Sequence, residues 1–171
     1  MSQPQYLLRV ALILKTFIKS LGLPKDSPKD KRIDHFKEHG LRLAAAVAPL
    51  DTLDIKAGIM DGEAIQLSGR AIKNMDTSEK QKVIIKNTMF FCSKDKQTED
   101  QFAPLFALLD VLLSKSSAKQ CQVVYYKLLD YNEREIAKVL GKYQSTINQH
   151  STAAGWHAIE KSVKYFENQI T

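Results

Sequence analysis

The feature that most limits how this chain can fold is a set of helix start and stop signals in its last third. Asn132 precedes an apolar-periodic run and is followed three residues later by Glu135, the spacing of a reciprocal capping box. Gly141 ends that run, because glycine takes the left-handed conformation that closes a helix. These signals predict a first helix at residues 118–129, a second after Asn132 and a third beginning near Gln144.

The spacing of small and apolar residues in these segments predicts how the helices pack. Ala137 is small enough to lie where two helices cross steeply, Gly141 opens the turn, and Ile147 follows six residues later. The apolar residues predicted to hold the helices together are Ile136, Leu140 and Ile147. Because these independent signals agree, residues 117–171 are predicted to form a helix-turn-helix domain.

The third helix of such a domain lies in the major groove of double-stranded DNA, with its N-terminal residues toward the bases. Glutamine and asparagine present a paired donor and acceptor to adenine, while serine contacts a base or a phosphate. The predicted base-reading residues are Gln144, Ser145, Asn148 and Gln149. The residues predicted to lie near phosphates are Lys142, Tyr143 and Thr146, with Lys138 and His150 as further candidates. The alternative is that this polar face is merely solvated.

The net charge of the chain is compatible with a polyanion partner. The chain of 171 residues has a net charge of +6, and such an excess favours nucleic acid through counterion release. Its two cysteines, Cys92 and Cys121, lack the spacing of a zinc site and suggest a reducing compartment. Charged residues interrupt the apolar stretch at 7–18, which predicts neither a membrane helix nor a signal peptide. The sequence therefore predicts a cytoplasmic protein.

No pattern in the sequence favours catalysis. The four histidines are scattered, and none pairs with a serine or cysteine nucleophile. Asp61, Gly62 and Glu63 place two carboxylates beside a glycine, which permits a metal or phosphate-linked site but is more typical of a turn that starts a helix. We therefore predict a protein that is not an enzyme, with no catalytic residues, no metal site and no cofactor.

The first helix of the chain is predicted from a stripe of apolar residues spaced three and four apart. The members of this stripe are Leu7, Val10, Leu14, Phe17 and Leu21. The favoured interpretation is that the stripe is core, and the alternative is that it binds a partner or a second copy. Gly22 and Pro24 are expected to end the helix.

The remaining front segments alternate in predicted type. The predictions are a loop at 24–34, a helix at 35–48, a strand at 53–60, a turn and helix at 61–75, a strand at 82–91 and a helix at 102–113. The helix at 102–113 is apolar nearly all round, so it is expected to be buried between two layers and to connect two domains. Ser114, Ser116 and Ser117 then place a domain boundary near residue 116.

Residues 125–158 resemble the DNA-binding half of LuxR-type regulators and region 4 of sigma factors. The whole chain is similar to the SatD-like group of bacterial proteins, through residues 61–64, 68–72 and 153–160. This resemblance implies a bacterial DNA-binding regulator with a front domain related to nucleotide-cyclase-like α/β folds. Lys142 and Ser151 depart from the pattern, since apolar residues usually stand there, and both are expected to loosen the third helix. The segment at 24–40 is interpreted as an insertion relative to the SatD-like group.

The sequence thus predicts an α+β, mainly helical protein with a front domain at 1–116, containing a short sheet, and a helix-turn-helix domain at 117–171. The first functional hypothesis is a transcriptional regulator that binds duplex DNA as a homodimer. The second is a sigma-type module that contacts a protein such as RNA polymerase without sequence-specific DNA binding. The third is the remnant of a nucleotide-responsive regulator. No membrane partner is expected.

Overall fold

A computed structural model describes residues 3–22, 33, 36, 39–74 and 87–170. These residues form a mainly helical α+β structure with little sheet, which confirms the predicted class. The elements in chain order are α1 (Leu7–Ser20), β1 (Leu43–Val47), β2 (Thr52–Asp54), β3 (Ile59–Asp61), α2 (Glu63–Asn74), β4 (Met89–Ser93), α3 (Lys96–Ser114), α4 (Ala118–Leu128), α5 (Glu133–Leu140), α6 (Gln144–Ala153) and α7 (Trp156–Gln169). A 3-10 turn at Pro4–Tyr6 precedes α1.

The chain divides into two compact units that differ from the predicted domains. The first unit comprises residues 1–41 and 111–171, and the second comprises residues 42–110. The boundary predicted at residue 116 falls inside the first unit because α1 packs along α4 and also contacts α7. Helix α3 contributes residues to both units.

Helix α1 buries a different face from the predicted one. The buried side chains are Leu8, Ala11, Leu12, Lys15, Thr16 and Lys19. Four members of the predicted core stripe are exposed instead, namely Val10, Leu14, Phe17 and Leu21. The interpretation of the stripe as core was therefore wrong for the chain as the structure describes it.

Two buried lysines explain why the hydrophobicity pattern predicted the wrong buried face of α1. The Lys15 ammonium donates to the Leu41 carbonyl at 3.2 Å. The Lys19 ammonium donates to the carbonyls of Leu113 and Ser114, at 2.6 and 2.7 Å, where α3 ends. A cation at a helix C-terminus interacts favourably with the helix dipole and binds carbonyls left without intrahelical partners. These partners let the lysines be buried, which a sequence pattern cannot show.

Arg9 links α1 to two other parts of the first unit. Its guanidinium donates to both carboxylate oxygens of Glu167 on α7, at 2.6 and 3.2 Å. It also donates to the Leu128 carbonyl and to Asp130, each at 3.1 Å. The hydrogen bond with Glu167 is the main reason why the pKa of Arg9 is raised. This forked pairing fixes α1 against the ends of α4 and α7.

The second unit is built on a pair of parallel strands, β1 and β4. Leu43 aligns with Met89 and Val47 with Ser93. A helix had been predicted at 35–48, and this prediction was wrong for residues 43–47. Gly40, shortly before β1, has a φ of +66°, and its N–H donates to the Phe36 carbonyl at 2.7 Å. Pairing with β4 then outweighs the helix propensity of the alanines in β1.

The strand predicted at 53–60 is a hairpin of β2 and β3. The Asp54 carboxylate accepts the N–H groups of Lys56 and Ala57, at 3.0 and 2.9 Å, and so forms the turn. Helix α2 confirms the helix predicted at 61–75. Gly62 before it has a φ of +135°, and a Cβ there would lie 2.7 Å from the Asp51 nitrogen. Only glycine fits so close to another backbone.

Helix α3 begins earlier than predicted and is not buried on all sides. It covers the predicted segment, but Leu108 is 70% exposed and Val111 is also exposed. Its buried residues include Phe102 and Phe106, which contact Phe91 of β4 within the second unit. The expectation of burial between two layers was therefore wrong.

Two predictions fall mostly outside the described residues. These are the loop at 24–34, of which only Ile33 is described, and the first half of the strand predicted at 82–91. The second half of that strand overlaps β4. Among the helices that the structure describes, none has the length and apolar character needed to cross a bilayer.

Candidate nucleic-acid interface

The site predicted from sequence is carried by three short helices, α4, α5 and α6, which share one small core. Its buried members are Val123, Ile136, Ala137 and Ile147, with Tyr126 and Leu140 packed against them. Each of the three helices contacts the other two. The apolar residues predicted to hold these helices together therefore meet, and Ala137 lies among them as its small size requires.

Side chains close the starts of the first two helices. Asn132 accepts the Glu135 N–H at 3.1 Å, and the Glu135 carboxylate accepts the Asn132 N–H at 2.8 Å, which confirms the predicted capping box. Ser117 and Gln120 form a second capping box at the start of α4. The sequence signal for this second box, a serine three residues before a glutamine, was missed.

Gly141 makes the turn from α5 to α6. Its φ is +60°, and the N–H of the next residue, Lys142, donates to the Ala137 carbonyl at 2.9 Å. The left-handed backbone closes α5 and lets α6 begin three residues later. The predicted role of Gly141 is confirmed.

Substituting Gly141 is expected to have a small and purely conformational cost. A Cβ at this position meets no heavy atom within 4 Å, so Gly141→Ala loses only the left-handed preference of glycine. We expect the free energy of unfolding to fall by about 1 kcal/mol. Gly141→Asn should lose less, because asparagine tolerates this conformation. Urea denaturation followed by tryptophan fluorescence measures both, and equal losses in the two variants would contradict the conformational explanation.

The two faces of α6 differ sharply. Ile147 and Ser151 are buried, whereas the predicted base-reading residues Gln144, Ser145, Asn148 and Gln149 are all exposed. Of the residues predicted near phosphates, Lys142 and Tyr143 are exposed and Thr146 is half-buried. Lys138 is exposed and His150 is half-buried. All seven principal site residues therefore lie on one continuous, accessible segment.

The start of α6 differs from those of α4 and α5 because no side chain caps it. Tyr143 occupies the capping position with its backbone, and its carbonyl accepts the N–H groups of Thr146 and Ile147. Among the residues that the structure describes, none accepts from the N–H groups of Gln144 and Ser145, so these groups can donate to a ligand. Such groups, at the positive end of the helix dipole, favour an anion.

The charges around α6 are mixed. Within the described part of the chain, Lys138 and Lys142 form no ion pair, so both can meet an external anion. Glu133 lies close to the polar face, with its carboxylate 3.5 Å from the Asn148 side-chain nitrogen. The polar face of α6 therefore has an acidic neighbour, contributed by α5. The Lys127 ammonium, 3.0 Å from Glu133, offsets that negative charge.

Trp156, the only tryptophan of the chain, lies at the start of α7 and is half-buried. The Lys127 ammonium is 5.4 Å from the centre of its ring, a cation–π contact. Gly155, with a φ of +72°, precedes it and lies against the Leu112 side chain. Sequence reasoning missed Lys127, since nothing local indicates that it bridges Glu133 and Trp156.

The acidic segment at 61–63 is occupied by interactions of its own. The Asp61 carboxylate accepts the Gly62 N–H at 2.7 Å, and Glu63 pairs with Lys94 at 3.0 Å. Among the residues described by the structure, no three acidic, histidine or cysteine side chains cluster as a metal site would require. The observed contacts are those of a turn that starts a helix.

Comparison of the chain with profiles of protein families, with curated proteins and with solved structures finds no match.

Proposed function

We propose that this protein is a transcriptional regulator that reads duplex DNA through α6, with α5 and α6 as a helix-turn-helix. The observation that carries the proposal is the row of exposed amides and hydroxyls on α6, opposite a face fixed in the core by Ile147. A helix held on one side and polar on the other can enter the major groove without rearrangement.

The base contacts in this proposal come from Gln144, Ser145, Asn148 and Gln149. Asn148 is the best placed of the four, because Glu133 accepts from its amide nitrogen and thereby orients the amide plane. Its amide oxygen can then accept from the adenine amino group. The distance from the Asn148 amide nitrogen to Glu133, 3.5 Å, is at the upper limit for a hydrogen bond. An adenine acceptor can therefore take the place of the Glu133 carboxylate at that nitrogen.

The phosphate contacts come from the residues around the start of α6. The N–H groups of Gln144 and Ser145 meet one phosphate, while Lys142, Tyr143 and Thr146 lie beside them in the chain. Lys138 adds a second cation one turn earlier. These contacts position the protein on the duplex and do not read its sequence.

The decisive experiment compares two double variants with matched chemistry. Gln144→Ala/Asn148→Ala removes two amides from α6, and Asn168→Ala/Gln169→Ala removes two exposed amides from the end of α7. Selection from random genomic fragments should enrich a specific site with the native protein and with the α7 variant. The α6 variant should bind that site about 100-fold more weakly, since each paired amide contact contributes about 1–3 kcal/mol.

Salt dependence separates groove reading from charge alone. The α6 amide variant should keep the native slope of log affinity against log salt, whereas Lys142→Ala should reduce that slope by about 0.9. Weak binding that is equal in all variants and wholly governed by salt would contradict the proposal. The net charge of the chain would then be the sole cause of DNA binding.

A second function, contact with a protein such as RNA polymerase, is favoured by one observation. Tyr143 is 83% exposed and Val139 is also exposed, and large apolar exposure marks protein interfaces. Co-sedimentation with purified RNA polymerase, compared between the native protein and Tyr143→Ala, tests this alternative. Retained polymerase binding without any DNA selection would favour it over the first function.

We further propose that the protein belongs to the SatD-like bacterial group, on the basis of the residues at 61–64, 68–72 and 153–160. A DNA-binding regulator of this kind acts in the cytoplasm, without catalysis and without a cofactor.

A further inference from the structure

The exposed side of α1 carries a regular apolar seam. The α1 stripe consists of Leu7, Val10, Leu14, Phe17 and Leu21, with spacings of three, four, three and four residues. Leu7 is half-buried, and the other four side chains are 40–63% exposed. This spacing is that of the a and d positions in a two-stranded coiled coil. The opposite side of the helix is already buried by Leu8 and Leu12.

We infer that the α1 stripe is the surface through which two copies of this chain associate. A seam with alternating spacings of three and four packs against another seam of the same spacing, so its natural partner is itself. Leu14 lies at the midpoint of the stripe and therefore meets the partner's Leu14 whether the helices run parallel or antiparallel. Such a contact is isologous, as in most homodimers.

The charges on α1 do not oppose a second copy at this surface. Two copies with a net charge of +6 each repel one another, so they associate best where no unbalanced cation is brought close. The lysines of α1, Lys15 and Lys19, lie on the buried side and donate to carbonyls. Arg9 is neutralised by Glu167 and Asp130. The stripe thus offers an apolar surface over the length of the helix.

The exposed area of the α1 stripe predicts a weak dimer. If a whole side chain has about 200 Å² of surface, the exposed parts of the stripe and Tyr6 amount to on the order of 500 Å² per copy. This is less than the roughly 800 Å² per partner of a standard interface, so we expect a Kd of about 1–100 µM. Two heptads suffice because α1 is already held by its other side and loses little entropy on pairing.

The oligomeric state in solution tests this inference. Sedimentation of the full chain over about 1–200 µM should show a monomer–dimer equilibrium. Leu14→Glu places two carboxylates against each other across the seam and should raise Kd at least about 100-fold. The matched control is Leu108→Glu, which changes an exposed helical leucine of α3 and should leave Kd unchanged. Circular dichroism verifies that both variants are folded.

Cross-linking gives an independent measurement. In a Cys92→Ser background, Leu14→Cys should form an intermolecular disulfide under mild oxidation, and Leu108→Cys should not. Cys121 does not interfere, because it is buried and desolvation raises the pKa of its thiol to about 11, although Lys19 and Lys15 lower it in part. A chain that stays monomeric throughout would overturn the inference, as would a dimer lost with Leu108→Glu but kept with Leu14→Glu.

These measurements contain no DNA, so their outcome is independent of the proposed function. If the chain is monomeric but selects a DNA site, the inferred dimer is wrong and the proposed function is kept. If the chain dimerises but selects no DNA site, the proposed function is wrong and the inferred dimer is kept.

Discussion

Ile147→Ala is expected to lower the free energy of unfolding of the first unit by about 2–5 kcal/mol, because it empties the centre of the small core beneath α6. Ile147 is 0% exposed and lies among Val123, Ile136 and Ala137. So few neighbours cannot collapse fully into the space left by the side chain. Trp156, on α7 in the same unit, reports this loss through the urea dependence of its fluorescence.

The adjacent residue provides the control for this prediction. Asn148 is exposed, and Asn148→Ala should change the free energy of unfolding by less than about 0.5 kcal/mol. The pair thus separates stability from recognition, since the first variant affects folding and the second affects DNA. A loss below about 1 kcal/mol for Ile147→Ala would contradict the packing of α6 described above.

The second large effect is expected at Asp110, in the other unit. Asp110 is 2% exposed, and its carboxylate accepts from both the N–H and the hydroxyl of Thr88 and from the Met89 N–H at 3.1 Å. Asp110→Ala leaves two backbone donors at the start of β4 without their carboxylate acceptor in a buried place. We expect a loss of about 3–5 kcal/mol, measured by far-UV circular dichroism in urea.

Thr88→Val is the matched control for the carboxylate. It removes the hydroxyl contact of 2.9 Å but keeps both backbone donors paired, so it should cost only about 1.5 kcal/mol. Hydrogen exchange adds a local measure, because the Thr88 and Met89 amides should lose protection in Asp110→Ala alone. Equal effects of the two substitutions would show that the backbone bonds contribute little.

The C-terminal helices could be predicted because their signals are local. A capping box, a small residue and a left-handed glycine each act within one turn of chain, so Asn132, Ala137 and Gly141 define α5 on their own. The placement of Gln144 and Asn148 on the exposed side of α6 follows from the same periodicity. What these side chains bind remains a prediction, since it depends on a partner outside the chain.

The front of the chain could be predicted only in part because its structure depends on distant contacts. β1 becomes a strand through β4, and each residue of β1 pairs with one 46 positions later in the chain, as Leu43 does with Met89. Asp110 appears in sequence as an interruption of an apolar helix, although it is the acceptor for Thr88 and Met89. The orientation of α1 depends on the acceptors of two lysines, which no periodicity indicates.

The buried lysines of α1 have a consequence for how this helix tolerates change over evolution. Lys19→Leu looks acceptable by hydrophobicity but would remove the donor from two carbonyls at the end of α3. Lys15 and Lys19 should therefore be substituted more slowly among descendants of this sequence than an average surface lysine. The helix would then vary least at residues that a hydropathy profile assigns to solvent, an inversion that a family alignment would reveal at once.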